Sequence, residues 1–114
     1  MIGILSGDPG GISFGLPPTA KALDAYLEML EGTNLPWAVA VLGGDVTGCG
    51  MSRMAIKRGG HVRVGLEDYG GPDRPSNFEL IQGVAAICRE VGRPVASAQE
   101  ARAILNLAPQ GEAA

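Results

Sequence analysis

Short apolar runs and helical stripes of apolar residues alternate along this chain. Residues 1–6 are mostly apolar, and residues 37–42 are apolar at every position. Uninterrupted runs of this length are typical of strands buried on both faces, as in parallel sheets. Each run is followed by a glycine-containing loop and then by apolar residues at helical spacing. The pattern predicts the order β-α-β-α-β-α-α, which is an α/β protein with a parallel sheet and right-handed crossovers.

A third strand is predicted within residues 59–68, whose sequence is Gly-Gly-His-Val-Arg-Val-Gly-Leu-Glu-Asp. Side chains on a strand point alternately to opposite faces, so apolar residues two positions apart share a face. Val62, Val64 and Leu66 have this spacing. We expect them to pack on an apolar layer and the strand to end at Asp68.

The opposite face of this predicted strand is polar. It carries Arg63, Gly65 and Glu67, and Asp68 follows directly. A half-exposed antiparallel strand would show the same charges on a solvated face. Glycine between two charges instead leaves room for another group to approach, and parallel α/β folds place their chemistry at the carboxyl ends of strands. We therefore interpret Arg63, Glu67 and Asp68 as a candidate site with one cation and two anions.

Capping signals and apolar spacing predict four helices. Thr19 follows two prolines and is a suitable N-cap for the first helix, which Gly32 ends. Residues 76–79 and 97–100 are capping boxes, in which Ser is followed three residues later by Glu. The predicted helices cover residues 20–31, 51–58, 77–91 and 98–107.

Three glycine-rich loops, at 7–18, 43–50 and 69–75, leave the carboxyl ends of the predicted strands. The first matches neither the Walker pattern nor the dinucleotide fingerprint, so a phosphate cradle and a plain connection both stay open. Asp45, in the second loop, either serves function or caps a turn. Parallel strands bring all three loops to one edge of the sheet, beside Arg63, Glu67 and Asp68.

Composition narrows the functional classes. The chain has 114 residues, a formal net charge of -3 and a sequence pI of about 5.0, so it lacks the basic excess of a nucleic-acid or membrane-surface binder. No apolar run approaches the roughly 18 residues of a membrane span. The start has no basic leader, and the two cysteines lie in no metal or redox pattern. We expect a cytoplasmic protein with reduced thiols.

Two closures of the sheet are possible. One is a small open doubly wound sheet, and the other is part of a (β/α)₈ barrel, which typically needs roughly 250 residues. Three strands alone would leave two bare parallel edges. The strand at the first residue, the polar face of the third strand and the terminal helices favour the barrel. We predict that residues 1–108 form the C-terminal three βα units of a (β/α)₈ barrel and that residues 109–114 form a flexible tail.

The sequence resembles the β-keto acid cleavage enzymes, which include the 3-keto-5-aminohexanoate cleavage enzymes of lysine fermentation. The resemblance covers the C-terminal part of the family and nearly all of this chain. It rests above all on Arg-Val-Gly-Leu-Glu-Asp at 63–68. The other similar segments are residues 14–19, 35–44, 76–80, 92–96 and 100–105.

The resemblance implies a zinc-dependent (β/α)₈ barrel that condenses a β-keto acid with acetyl-CoA and cleaves the product to acetoacetate and a new CoA thioester. It implies that Glu67 is a zinc ligand, that Asp68 is the general base and that Arg63 orients this base. Zinc readily accepts carboxylate oxygen and polarises a keto oxygen, which makes the adjacent carbon acidic. A nearby guanidinium favours the ionised carboxylate that a base must be.

Members of the family take their other zinc ligands from a His-x-His motif, whereas this chain has one histidine, His61, at the beginning of the predicted strand. We interpret His61 as a partly exposed structural residue. Besides the enzyme, which we expect to form homo-oligomers or to associate through exposed barrel edges, two readings stay open. One is an inactive barrel fragment that assembles with another chain, and the other is a small CoA- or nucleotide-binding module.

Overall fold

The protein is a three-stranded parallel sheet with helices in the crossovers, seen in a computed structural model that describes residues 2–6 and 15–108. The strands are β1 (Ile2–Ser6), β2 (Ala38–Leu42) and β3 (His61–Val62), in the order β1-β2-β3. Strands β1 and β2 pair along their whole length, whereas β2 and β3 pair at two positions. Parallel neighbours joined through helices confirm the predicted α/β class. The barrel itself stays a prediction.

The predicted helices are all present within the described ranges. They are α1 (Ala20–Met29), α2 (Met51–Lys57), α3 (Asn77–Val91) and α4 (Ala98–Ile104). Thr19 caps α1, and capping boxes at Ser76 and Ser97 begin α3 and α4, as the sequence predicts. No helix among the described residues is long and apolar enough to cross a membrane. Residues 7–14 of the first loop and the predicted tail, 109–114, lie outside the described residues.

Helix α4 ends three residues before the predicted position. Asn106 has a φ of 56°, and the backbone N–H of Leu107 donates to the carbonyl of Arg102 at 2.8 Å. Asn106 therefore ends the helix in the left-handed conformation, and the hydrogen bond from Leu107 satisfies one of the last free carbonyls of the helix. Asparagine adopts this conformation more readily than most residues, but the sequence analysis did not use that signal.

The core lies between β2 and the helices on one side of it. Leu23 of α1 and Met51 of α2 are fully buried, and both belong to one apolar cluster with Val39 and Val41 of β2. Trp37, Val62 and Val64 pack against this cluster while keeping part of their surface exposed. The predicted inward direction of Val62 and Val64 is therefore confirmed.

The predicted extent of the third strand is wrong, because β3 ends at Val62 rather than at Asp68. Beyond Val64 the chain turns, and the carbonyl of Gly65 accepts hydrogen bonds from the backbone N–H groups of Asp68 at 3.2 Å and Tyr69 at 3.1 Å. The alternation of faces stops at this turn. Leu66, predicted to be buried, is 52% exposed as a result.

Candidate active site

Arg63 and Asp68 meet at the carboxyl edge of the sheet because the chain turns back after β3. The backbone N–H of Arg63 donates to the carbonyl of Val39 at 2.9 Å, which continues the pairing with β2 by one residue. After the turn, the carbonyl of Asp68 accepts from the backbone N–H of Gly43 at 2.8 Å. Backbone contacts to β2 and to the residue that follows it therefore fix both ends of the segment that carries the two charges.

The carboxylate of Asp68 is buried against the guanidinium of Arg63. Its side chain is 6% exposed, and its Oδ1 accepts a hydrogen bond from Arg63 Nη2 at 3.3 Å. Its Oδ2 lies 3.0 Å from Arg63 Nε, yet it has no hydrogen bond of acceptable angle within the described residues. The contact at Oδ2 is thus an ion pair that leaves an acceptor oxygen with spare capacity. A buried acceptor oxygen without a hydrogen bond destabilises the folded protein unless a ligand or a water molecule donates to it.

Glu67 lies beside Asp68 in sequence but in the opposite environment. Its side chain is 89% exposed, and its Oε2 is 3.7 Å from Arg63 Nη2. Exposed ion pairs of this length contribute little to stability. Glu67 is therefore held loosely and is open to a ligand that approaches the edge of the sheet from outside.

Two adjoining cavities lie next to this pair. A very small one, about 10 Å³, is bordered by Asp68, Arg63 and Asp45 and has room for at most one water molecule. A second, of about 380 Å³, lies between the loops that follow β2 and β3 and is bordered by Asp45, Thr47 and Arg74. The larger cavity shares Asp45 and Tyr69 with the smaller one and has room for a small molecule.

Asp45 caps a turn, which was one of the two readings left open by the sequence. Its Oδ1 accepts from the backbone N–H of Thr47 at 3.1 Å, and its carbonyl accepts from the N–H of Cys49 at 3.0 Å. A Cβ on Gly48 would lie 2.5 Å from Asp45 Oδ2, so glycine is needed at that close approach. Asp45 borders the site but is occupied in shaping its loop.

Tyr69 is a site residue that the sequence analysis missed. It forms an isolated parallel bridge with Gly44, and the N–H of Gly70 donates to the carbonyl of Gly44 at 2.8 Å. A Cβ on Gly70 would lie 2.5 Å from the backbone of Gly43. The available signal in the sequence was the glycine after Tyr69, because a glycine in an extended segment often marks a place where another backbone approaches closely.

His61 lies at the other end of β3, away from Arg63 and Asp68, and is partly buried. Burial lowers the pKa of His61 below its usual value of 6.5, and the positive charge of Arg93 lowers it further. These surroundings agree with the structural role predicted for it. No group of three or more metal-binding side chains occurs in the described part of the chain.

A sequence model of the β-keto acid cleavage enzyme family matches residues 8–107. This range contains Arg63, Glu67 and Asp68. The chain belongs to this family. Membership confirms the resemblance drawn from the Arg-Val-Gly-Leu-Glu-Asp segment.

Curated relatives carry enzyme names from the same family. The chain is 39% identical over 103 residues to the 3-oxoadipate:acetyl-CoA acetyltransferase of Cupriavidus necator, covering 85% of this chain and 36% of that protein. It is 43% identical over 100 residues to a 3-keto-5-aminohexanoate cleavage enzyme of Fusobacterium nucleatum, covering 82% and 35%. The corresponding enzyme of Acetoanaerobium sticklandii is 49% identical over 61 residues, covering 50% and 22%. The chain spans about a third of the length of the first and second of these relatives.

Proposed function

We propose that this chain supplies the general base of a β-keto acid cleavage enzyme. The observation that carries the proposal is the buried Asp68 carboxylate, paired with Arg63 and keeping one acceptor oxygen without a hydrogen bond. A base needs a free lone pair directed at its substrate, and it must be ionised when the substrate arrives. The Arg63 guanidinium compensates the charge of a carboxylate that would otherwise be buried alone.

In the proposed reaction, Asp68 removes a proton from the carbon beside the keto group of a β-keto acid. The resulting carbanion attacks the thioester carbon of acetyl-CoA and expels the CoA thiolate. This thiolate then attacks the keto carbon of the original β-keto acid, and the carbon–carbon bond between that carbon and the deprotonated carbon breaks. The products are a new CoA thioester and the acetoacetate carbanion, which takes up the proton. Arg63 holds the Asp68 side chain through Nε and Nη2 and so fixes the direction from which the proton is taken. Acetyl-CoA appears in the name of the Cupriavidus necator relative, which supports it as co-substrate.

Zinc fits one position of this site. Glu67 presents an exposed carboxylate beside the base, and carboxylate oxygen is an accepted zinc ligand. A catalytic zinc ion usually has three protein ligands, and the described residues contain no group of three or more metal-binding side chains. We therefore propose that Glu67 is one ligand and that residues outside the described ranges supply the others. A zinc ion bound there would make the substrate proton more acidic by polarising the keto oxygen.

The barrel interpretation is part of the same proposal. Residues 1–108 would form three βα units of a (β/α)₈ barrel, with the remaining units outside the described residues. In support, the carboxyl edge of the sheet carries the candidate base, as it does in barrel enzymes. The relatives are roughly three times as long as the matched segment, which leaves length for further units.

The decisive experiment compares Asp68→Asn with Asp24→Asn in a protein of full family length. Loss of a general base should lower turnover about 10²–10⁴-fold, while zinc content stays unchanged. Asp24 is an exposed carboxylate on α1 that borders neither cavity of the site, so its variant should turn over at the wild-type rate. Unchanged turnover of Asp68→Asn would remove Asp68 from this role.

The zinc proposal has its own test. Metal analysis of the same protein carrying Glu67→Gln should show weaker zinc binding than wild type, with Glu79→Gln as an exposed control. Full retention of zinc by Glu67→Gln would exclude Glu67 as a ligand. For the chain alone, the measurements are zinc stoichiometry and mass in solution. About one zinc ion per particle would indicate that other residues complete the site, and absence of zinc would indicate an inactive fragment.

A further inference from the structure

The guanidinium of Arg93 joins two segments at the amino end of β3. Its Nη1 donates to the carbonyl of Ile56 at 3.1 Å and to the carbonyl of Gly60, and its Nη2 donates to the carbonyl of Gly59 at 3.3 Å. Ile56 lies in the last turn of α2, and the two glycines lead from that helix into β3. One side chain therefore donates hydrogen bonds both to the end of α2 and to the two glycines that precede β3.

The backbone that carries Arg93 is itself fixed. Gly92 ends α3 with a φ of 82°, and the N–H of Arg93 donates to the carbonyl of Cys88 at 2.9 Å. This is a Schellman ending, which is one of the most regular helix terminations. Pro94 restricts the residue before it to extended conformations. The direction in which the Arg93 side chain leaves α3 is thus set by local structure.

Strand β3 needs such an anchor because its own pairing is short. It pairs with β2 at two positions, and the N–H of His61 donates to the carbonyl of Trp37 at 2.9 Å. The N–H of Arg63 adds one further bond to Val39, so a few backbone hydrogen bonds hold the register of this strand, and a change in register would move every side chain that follows. Arg63 comes directly after β3, so its place depends on where the strand begins.

We propose that Arg93 is a positioning residue for the Arg63–Asp68 pair, acting through the carbonyls of Gly59 and Gly60. Two residues, His61 and Val62, separate Gly60 from Arg63, and both are extended and paired to β2, so a displacement at the anchor is passed along the strand. The inference rests on the proposed function only where it gives the position of Arg63 and Asp68 a consequence for catalysis. The positional link itself is a property of the folded chain.

Arginine suits this task better than lysine. A guanidinium has five N–H donors in a fixed planar fork, whereas an ammonium is a point charge on a flexible stem. Lysine at position 93 would keep the positive charge but would not bridge the carbonyls of Ile56, Gly59 and Gly60 in one geometry. Arg93→Lys therefore removes the bridge and leaves the charge.

The test is nuclear magnetic resonance on the labelled chain, comparing wild type with Arg93→Lys, Arg93→Gln and Arg89→Lys. Arg89 is exposed on α3, four residues before Arg93, and is the matched control. The probes are the Arg63 Nε–H cross-peak and the carboxylate carbon of Asp68 at fixed pH and temperature. Both should shift in the Arg93 variants by clearly more than in Arg89→Lys.

A lower melting temperature in the Arg93 variants, with both resonances at their wild-type positions, would overturn the proposal, since it would show a stabilising role alone. Failure of both Arg93 variants to fold would also overturn it in favour of a general structural role. The probes require no turnover, so absence of enzyme activity would count against the proposed function and leave this result standing.

Discussion

The two ends of β3 differ in how far the chain satisfies its own polar groups. At the amino end, Arg93 donates to carbonyls of α2 and of the following glycines. At the carboxyl end, Asp68 keeps a buried oxygen without a hydrogen bond, and Glu67 is almost fully exposed. Buried polar groups in folded proteins are nearly always paired, so the exception marks where another group is expected.

The amino end of this short strand therefore supports the fold, and its carboxyl end leads into the candidate site. The amino end is held together by the hydrogen bonds of Arg93, and cavities of about 360 and 460 Å³ border it. The carboxyl end combines the buried Asp68 carboxylate, held by Arg63, with the exposed and loosely held Glu67, which is an arrangement suited to the proposed base and ligand. Substitutions at the two ends should accordingly affect different properties.

Gly60→Ala should strongly destabilise the amino end. A Cβ on Gly60 would lie 2.2 Å from a carbon of the Trp37 ring, and this ring packs against the core. Overpacking of this kind typically costs 1–3 kcal/mol and at rigid sites more, so we expect a loss of about 3 kcal/mol in the free energy of unfolding. Urea denaturation followed by Trp37 fluorescence measures it directly.

The matched control for that change is Gly83→Ala within α3. A Cβ on Gly83 meets nothing within 4 Å, and alanine favours helix over glycine. We expect Gly83→Ala to raise the free energy of unfolding by about 0.5–1 kcal/mol. Equal stability of the two alanine variants would mean that the amino end is not tightly packed.

Arg63→Met should destabilise the carboxyl end by about 1–3 kcal/mol, because it leaves the buried Asp68 carboxylate without its counter-charge. Adding Asp68→Asn to Arg63→Met should restore part of this loss, since the uncompensated charge is then gone. Arg74→Met, at an exposed loop arginine, should stay within about 0.5 kcal/mol of wild type. A double-mutant cycle with no coupling between Arg63 and Asp68 would contradict the ion pair.

His61 should make stability depend on pH near neutrality. Its pKa is lowered in the folded chain, first by burial and then by Arg93, so the unfolded chain binds this proton more tightly. The contribution is fully present above the unfolded value of 6.5 and is lost as pH falls through the lower folded value.

The slope from this single group is at most about 1.4 kcal/mol per pH unit. His61 is the one histidine of the chain, so His61→Gln should flatten the profile of unfolding free energy between about pH 7 and pH 5. Arg93→Gln should bring the pKa of His61 closer to its usual value, measured by its imidazole resonances. An unchanged slope in His61→Gln would assign the pH dependence to carboxylates.

Glu67→Gln should have the smallest effect on stability, within about 0.5 kcal/mol of wild type, because its side chain is exposed and its contact with Arg63 is long. Thermal unfolding at low and moderate salt measures this. A larger loss would show that Glu67 supports the fold, which would weaken the contrast between it and Asp68.

The sequence predicted the candidate site residues but not their arrangement. Strand periodicity placed Arg63 and Glu67 on one face, with Asp68 beyond the end of the strand. In the structure the chain turns at Gly65, so Asp68 is buried against the half-exposed Arg63 while Glu67 extends into solvent. A run of alternating residues does not reveal where its pairing partner stops, and β2 and β3 pair at two positions only.

The sequence by itself determined the local structure of this protein. Side-chain caps at Thr19, Ser76 and Ser97 begin helices through contacts within three residues, and such contacts need no distant partner. The family also followed from the linear order of residues at 63–68. Tertiary structure decided which carboxylate is buried, because that depends on the hydrogen bond that the Asp68 carbonyl accepts from the N–H of Gly43, 25 positions earlier in the chain. It also decided the role of Arg93, whose partners lie more than thirty residues earlier.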